Sequence, residues 1–435
     1  MTSLKNEEVN YRELGVFFFP IALSAILMMT SHSIISSALA RTTNAEISLA
    51  AFSVASSISM LFESPCYNIR QMVIALSDDR GSLKSIVAVG ILVLIVSITL
   101  MGLVSFTNLG KVIFINIAGI RPELFPEVIS SFRLLMLLPI LSAVRAYFQG
   151  VLIVKKRTYW LTINVSIRLV FMLFISAFIL NQTKLDNSLV GVVIFVSGMA
   201  VESILSVLTG KRYFKNFSNS PEKTKSTITI RETLVFFAPL VLASFSQTLT
   251  RPSINAGLAR VENPDIALAS FQVAYSYAMI FIVLLFYIHQ LVLVFVKDKS
   301  SFIKVRNFII LVALLITGFL LISGLTPIGH FLLERLIGVE ESLAKESLRT
   351  IAFYSLIPIL LGMGEMYMGF LMKAKKTFDI TIAKTINVIV VIISSSFLSI
   401  ILPTLGGPIA SISLSVGFSI ELIYMWLKAR KLTII

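Results

Sequence analysis

The segment RELGVFFFPIALSAILMM, which begins at Arg12, is repeated as RETLVFFAPLVLASFSQT, which begins at Arg231. A constant shift of 219 residues, without gaps, aligns residues 12–71 with residues 231–290, and 23 of the 60 aligned positions are identical. The same shift aligns Gly150 with Gly369 and, near the end of the chain, Glu202 with Glu421. Apolar helices that resemble each other by chance do not keep prolines, glycines and charges in one register, so the chain contains an internal duplication.

The composition predicts an all-α, polytopic membrane protein. Of the 435 residues, 56% are hydrophobic and 14% are charged, and the mean hydropathy is +0.91. Soluble domains carry about 25% charged residues, so this chain has too few charges for a water-facing surface. A membrane-spanning helix needs about 20 apolar residues. Twelve segments qualify as spans 1 to 12: 15–38, 46–70, 84–106, 126–153, 158–181, 188–210, 234–257, 265–295, 303–325, 347–373, 378–401 and 405–427.

The basic residues predict the orientation of the spans. With the N-terminus inside, the inner segments hold 24 of the 37 Lys and Arg residues and the outer segments hold 8. Because cytoplasmic loops carry the basic excess, we expect both termini to be cytoplasmic. The net charge of +14 is therefore a topology signal, and nucleic-acid binding is not needed to explain it. Span 1 lacks a small-residue cleavage site and is expected to be an uncleaved anchor in the inner or plasma membrane.

The polar segment 211–230 divides the duplication into two lobes. We expect an N-lobe at 1–210 with spans 1 to 6, a cytoplasmic linker at 211–230, and a C-lobe at 231–435 with spans 7 to 12. Because six is even, both lobes enter the membrane in the same direction, and the repeat is parallel, about an axis along the membrane normal.

The sequence lacks the residue patterns that are typical of enzymes and metal sites. The chain has one cysteine, Cys66, and three scattered histidines, so neither a disulfide framework nor a metal site is expected. It has no GxxxxGK[ST] phosphate loop and no recognisable Ser-His-acid arrangement. We expect no cofactor and no enzyme.

Two pseudo-symmetric six-helix lobes resemble the multidrug/oligosaccharidyl-lipid/polysaccharide exporter superfamily, whose members have the MATE-like fold. Within it, the chain most resembles the progressive ankylosis protein family. Four segments carry this resemblance: 249–255 (LTRPSIN) with Arg260, 332–339 (LLERLIGV), 375–378 (KKTF) and 403–406 (PTLG). The resemblance implies a transporter that exports anions such as pyrophosphate, citrate or nucleotides.

Nine charged residues fall inside the predicted spans: Arg133, Arg145, Arg168, Arg251, Lys384, Glu63, Glu202, Glu365 and Glu421. A charge in the bilayer interior is costly, so each is expected to face a cavity or a partner. Arg251 in span 7 is the first candidate for binding an anion, because Pro252 follows it and is expected to bend or break the helix. The alternative is that Arg251 is a structural pin for the bent helix.

The repeat extends the candidate substrate site. Spans 1 and 7 line the central cleft of a two-lobed transporter, so His32, the counterpart of Arg251, is expected to face it across the cleft. Gln247 and Asn255 lie four residues either side of Arg251 and share its helical face. Arg145 and Arg168 are further candidates, with an ion pair to Glu202 or Glu63 within one lobe as the alternative. Lys384, near the inner end of span 11, is expected to extend to the membrane surface.

The acidic residues are candidates for coupling or gating. Glu202 and Glu421 are counterparts in the repeat, which favours a structural pin in each lobe over a proton or sodium relay. Glu365 is the preferred coupling group, Glu63 is a further candidate, and His289 could titrate near neutral pH or be interfacial.

Three functions remain open. The first is a secondary transporter that exports a small anionic solute by alternating access, with H⁺ or Na⁺ as a possible coupling ion. The second is a flippase, in which the arginines bind a lipid phosphate. The third is a cation or multidrug antiporter, which is disfavoured because span 1 has no Asp or Glu.

Overall fold

The computed structural model describes residues 9–77, 80–182, 187–214 and 228–432, and it confirms the predicted twelve spans. Most of the predicted linker, residues 215–227, lies outside the described residues. The α-helices are α1 Tyr11–Leu39, α2 Ala45–Leu76, α3 Arg80–Phe106, α4 Leu109–Lys111, α5 Phe125–Leu135, α6 Leu138–Val154, α7 Tyr159–Gln182, α8 Leu189–Phe214, α9 Ile230–Thr248, α10 Thr250–Leu258, α11 Pro264–Ile282, α12 Ile288–Phe295, α13 Lys299–Leu325, α14 Pro327–His330, α15 Glu341–Tyr354, α16 Ile357–Lys373, α17 Thr377–Ile401 and α18 Pro408–Ala429.

Spans 4 and 10 are interrupted at equivalent places. α5 ends at Leu135 and α15 at Tyr354, four residues before Pro139 and Pro358 respectively. A proline has no N–H for the carbonyl four residues earlier, and its ring clashes with that carbonyl. The same interruption in both halves therefore belongs to the shared scaffold.

Spans 7 and 8 are interrupted in the second half only. α9 ends at Thr248, four residues before Pro252, so the predicted break of this helix is confirmed. In the first half Ser33 replaces the proline, and α1 runs without interruption. Span 8 leaves the α-helix after Ile282 and passes through a 3₁₀ turn at Leu285–Tyr287 into α12, whereas its counterpart α2 is continuous.

Close helix packing depends on glycines that recur in the repeat. A Cβ at Gly150 would lie 2.6 Å from the Cβ of Val73, and one at Gly369 would lie 2.7 Å from the Cβ of Val292. Val73 and Val292 are themselves 219 residues apart. Small residues let helices approach closely within a membrane, so these contacts hold span 2 to span 4 and span 8 to span 10.

The described chain divides into two compact units: Met1–Ala22 with Ala238–Ile435, and Leu23–Phe237. The beginning of α1 belongs to the first unit, where Phe17 and Phe18 pack edge to face on Phe295 and Phe308. The beginning of span 7 belongs to the second unit, and just before α9 the carbonyl of Ile228 accepts a hydrogen bond from the hydroxyl of Ser85 at 2.7 Å. The predicted lobe boundaries at 210 and 231 stay a prediction. Below, "N-half" and "C-half" denote parts of Leu23–Phe237 and of Ala238–Ile435.

Candidate functional site

A buried charge cluster lies between spans 2, 4, 5 and 6 of the N-half. Glu202 accepts hydrogen bonds from Arg145 at 3.1 Å, from Arg168 at 2.8 Å and from the amide of Gln149 at 3.0 Å. Arg145, Arg168 and Glu202 are all at most 3% exposed. Both arginines thus form ion pairs with Glu202, as the alternative to a substrate-binding role predicted. Their role in substrate binding stays a prediction.

Glu63 belongs to the same N-half cluster. It accepts hydrogen bonds from the hydroxyl of Tyr67 at 2.7 Å and from the hydroxyl of Ser142. The ring of Tyr67 lies under the guanidinium of Arg145, 5.4 Å from the centroid, and so links Glu63 to the arginines. With two arginines and two glutamates, the buried charges of this cluster balance.

The C-half has a second buried cluster around Glu421, the counterpart of Glu202 in the repeat. The ammonium group of Lys384 lies 2.6 Å from Glu421 and 3.4 Å from Glu365, and the second oxygen of Glu365 lies 2.8 Å from Nδ1 of His289. All four residues are at most 5% exposed. The prediction that Lys384 extends to the membrane surface is wrong, because two carboxylates from spans 10 and 12 hold it inside the C-half.

The two clusters differ in how their charges balance. Glu421 is the counterpart of Glu202, but the positions of Arg145 and Arg168 are taken by Gly364 and Asn387. The C-half cluster therefore holds two carboxylates against one lysine. The side-chain amide of Asn387 lies next to the carboxylate of Glu421.

A cavity of about 250 Å³ lies in the C-half, beside this cluster. Arg251 and Gln247 line it from span 7, and Asn387 lines it from span 11. Phe271, Tyr275, Phe286, Tyr354 and Phe418 supply aromatic walls. None of the lining residues, all within the described part of the chain, is Asp or Glu.

The interrupted helices position the cavity wall. Thr248 and Thr250, on either side of the break in span 7, line the cavity. Ile282 at the end of α11 and Phe286 in the 3₁₀ turn of span 8 line it as well. The counterparts of both spans are continuous. Discontinuous helices at mid-membrane are typical of transporter binding sites.

Arg251 is held by neutral groups. Its guanidinium donates a hydrogen bond to the side-chain oxygen of Gln272 at 2.7 Å and lies over the ring of Tyr275, 4.3 Å from the centroid. Among the described residues no carboxylate pairs with it. The hydroxyl of Tyr354, a residue 2% exposed, lies within electrostatic reach of Arg251 and has no hydrogen-bond partner in the part of the chain that the structure describes.

The remaining predicted residues lie elsewhere. Asn255 is exposed on α10 and does not line the cavity, although Arg251 and Ile254 of the same helix do, so its predicted place beside Arg251 in the site is wrong. His32 packs on the ring of Phe195, at 6.0 Å between centroids, in the N-half. Its predicted position opposite Arg251 stays a prediction. Arg133 donates to the carbonyl of Ser105 near the outer end of span 4.

Sequence reasoning missed the aromatic lining of the cavity. Tyr275, Tyr354 and Phe286 stand where the N-half has Ser56, Leu135 and Tyr67. A residue-by-residue comparison of the two halves indicates Tyr354, because a tyrosine replaces a leucine there at the end of α15, four residues before the proline common to both halves.

Solved structures share this fold. A MOP superfamily transporter from Pyrococcus furiosus has a TM-score of 0.72 at 14% identity, with 97% of this chain and 95% of that chain covered. A MATE transporter in a bent conformation gives 0.75 at 14% identity, over 96% and 94% of the two chains. A mutant of the Vibrio cholerae MATE transporter VcmN gives 0.68 at 14% identity, over 97% and 96%.

At such identities the likeness concerns the fold, and the twelve spans agree with it. The sequence itself matches the progressive ankylosis protein family over residues 1–263 and 253–420. The chain therefore belongs to the progressive ankylosis protein family and is an integral membrane transporter with the MATE fold.

Proposed function

We propose that this transporter exports a small anionic solute by alternating access and that the anion binds in the C-half cavity at Arg251. One observation carries the proposal: Arg251 is exposed at an aromatic cavity whose lining has no carboxylate, and its side-chain partners among the described residues are neutral. An arginine that no acid neutralises in a largely apolar site attracts a negatively charged ligand.

The buried Lys and Arg side chains of the described residues, in contrast to the exposed Arg251, are already neutralised. Arg145 and Arg168 bind Glu202, and Lys384 binds Glu421 and Glu365. An anion at one of these groups would have to displace a buried carboxylate, which leaves that carboxylate unpaired at a cost of about 3–5 kcal/mol. We therefore assign Arg145, Arg168, Glu63 and Glu202 to a fixed pin within the N-half.

The contrast between the halves supports the C-half as the binding side. Its spans 7 and 8 are interrupted at the cavity, and Asn387 lines the cavity at the position where the N-half has Arg168. A Cβ at Gly364, the counterpart of Arg145, would meet no atom within 4 Å.

We assign coupling to the C-half cluster of His289, Glu365, Lys384 and Glu421. It carries one more carboxylate than lysine, so it gains neutrality by taking up one proton or one Na⁺. Asn387 belongs both to the cavity wall and to the surroundings of Glu421, and it connects the two sites. The distribution of basic residues further favours cytoplasmic termini.

Efflux from proteoliposomes tests the assignment. Pyrophosphate, citrate and a nucleotide are the first probes, because the family resemblance implies them. Arg251→Gln is expected to lower the flux of the transported anion at least tenfold, the effect of about 1.5–3 kcal/mol for one charge-assisted hydrogen bond. Arg349→Gln is the matched control, because Arg349 is exposed and pairs with Glu346 three residues away. Unchanged flux in Arg251→Gln, with an anion that the wild type transports, would remove Arg251 from the site.

The same preparation separates the two alternatives. A flippase would move a fluorescent phospholipid or lipid-linked glycan between leaflets without net export of a soluble anion. A cation antiporter would move a lipophilic cation and lose that flux when Glu365 is replaced, while Arg251→Gln would leave it unchanged.

A further inference from the structure

We propose that the coupling ion is a proton carried by the pair of His289 and Glu365, and that the ammonium group of Lys384 is a built-in cation at the place that a bound Na⁺ would need. The inference rests on the proposed function, which assigns coupling to the C-half cluster. It names the ion and the side chains that carry it.

The imidazole of His289 is in direct contact with a carboxylate. Its Nδ1 lies 2.8 Å from one oxygen of Glu365, and both residues are at most 4% exposed. Nδ1 carries the proton of this hydrogen bond when the carboxylate is ionised, and one further proton converts the ring to an imidazolium beside that carboxylate. Histidine is the side chain that most readily changes its charge near neutral pH. The pair can thus take up and release one proton inside the C-half.

Lys384 occupies the carboxylates that a metal cation would use. Its ammonium group lies 2.6 Å from Glu421 and 3.4 Å from one oxygen of Glu365. The second oxygen of Glu365 contacts His289. Three of the four carboxylate oxygens of the cluster therefore already contact nitrogen atoms.

These contacts favour a proton over Na⁺. A hard cation needs several oxygen ligands, and in the described part of the chain no group of three or more His, Cys, Asp and Glu side chains could hold a metal ion. Displacement of Lys384 by Na⁺ would also leave a buried ammonium group unpaired, which is strongly unfavourable. A proton needs one acceptor atom and leaves Lys384 in place.

His289 is the only basic residue of its neighbourhood that changes charge near neutral pH. Its helix α12 and the helix of Glu365, α16, pack on α13, α17 and α18, and every other basic residue of these five helices is Lys or Arg. The charged side chains that contact the pair or lie within electrostatic reach of its helices are Lys384 of α17, Glu421 of α18 and Arg306 of α13. Asp379 of α17 and Lys428 of α18 pair with each other at 2.9 Å.

The repeat supports this role of His289. Its counterpart in the N-half is Arg70, whose charge is permanent. Arg70 donates a hydrogen bond to Gln149 at 3.4 Å, and Gln149 donates in turn to Glu202. At this position the N-half thus has a fixed cation, whereas the C-half has a titratable one.

Anion efflux from proteoliposomes under imposed gradients tests the inference, with whichever of pyrophosphate, citrate and a nucleotide the wild type transports. With the membrane potential clamped and one proton coupled to each anion, a pH gradient of about one unit should support about a tenfold anion gradient. A Na⁺ gradient at equal pH should leave the anion distribution unchanged. His289→Gln should lose the response to pH while anion binding at constant pH persists. His330→Gln is the matched control, because His330 makes the same 2.8 Å contact with Glu334 at an exposed position.

Lys384→Met provides a second test that needs no transported solute. It removes the built-in cation and leaves both carboxylates free to bind Na⁺, and an ion that binds the folded state stabilises it. Replacement of choline chloride by NaCl should raise the melting temperature of Lys384→Met by several degrees and leave that of the wild type unchanged. If Lys384→Met does not fold, the wild-type gradients and His289→Gln still decide the question.

The inference and the proposed function fail in different ways. Wild-type flux that follows a Na⁺ gradient at equal pH would overturn the inference and leave export intact, and so would a full pH response in His289→Gln. A folded Lys384→Met that melts identically in both salts would show that Lys384 does not fill a Na⁺ position. If the pH response is as expected but Arg251→Gln leaves the flux unchanged, the proton pair stands and the assignment of the anion site is wrong.

Discussion

Substitution of the two equivalent glutamates by glutamine should have unequal effects on stability. Glu202 balances Arg145 and Arg168 in the N-half, with hydrogen bonds of 2.8–3.1 Å. Glu202→Gln leaves two buried arginines with Glu63 as the only remaining carboxylate of their cluster. Breaking a buried ion pair by removing one partner costs about 3–5 kcal/mol, because the other charge remains unpaired.

Glu421→Gln removes the same group at the matching position of the C-half, but it leaves Lys384 paired with Glu365 at 3.4 Å. The substitution removes one hydrogen bond to a charged group, worth about 1.5–3 kcal/mol, and it also removes the excess buried carboxylate, which offsets part of that loss. We expect a net loss below about 1.5 kcal/mol, clearly less than for Glu202→Gln.

Thermal unfolding of both purified variants, in the same detergent at pH 7, measures the difference between their losses of stability. The melting temperature should fall several degrees further for Glu202→Gln than for Glu421→Gln. Equal shifts, or a larger one for Glu421→Gln, would refute the charge balance that distinguishes the two clusters.

Three further predictions concern the break in span 7, the helix packing and the coupling. Pro252→Ser introduces the residue found at the equivalent Ser33. It should restore the hydrogen bond to the carbonyl of Thr248 and lower solute affinity without loss of stability, measured by binding and melting temperature. Gly369→Ala should destabilise the protein by about 1–3 kcal/mol through overpacking, whereas Gly364→Ala, with open space in front of it, should be neutral in the same melting assay. Glu365→Gln should abolish the dependence of anion flux on an imposed pH gradient while anion binding at constant pH persists. A gradient dependence equal to that of the wild type would exclude proton coupling through Glu365.

The sequence allowed the scaffold to be predicted because the repeat preserves it. The shift of 219 residues identified Glu202 and Glu421 as equivalent buried groups, and the number of spans followed from hydropathy. The break in span 7 followed from the chemistry of Pro252. The number of spans and the break in span 7 each depend on one helix or one residue alone.

The partners of buried charges could not be predicted in the same way. The predicted position of Lys384 came from its depth in span 11, but Glu365 and Glu421 on neighbouring spans determine where its side chain lies. The aromatic lining escaped because Phe286 and Tyr354 look like any other residue of an apolar span. Whether such a side chain faces lipid or a cavity depends on the neighbouring helices. Hydropathy is a property of a single segment and gives no information about those neighbours.

The central claim is that the anion binds in the C-half cavity at Arg251, and a structure with the bound solute tests it most directly. A cryo-electron microscopy map of the full chain with its transported anion should show the ligand in the C-half cavity, with its charged group within about 3 Å of Arg251 and the Tyr354 hydroxyl. Density for the anion at Arg145 and Arg168 instead, with Glu202 displaced, would contradict the assignment of the N-half as a fixed pin and of the C-half as the binding side.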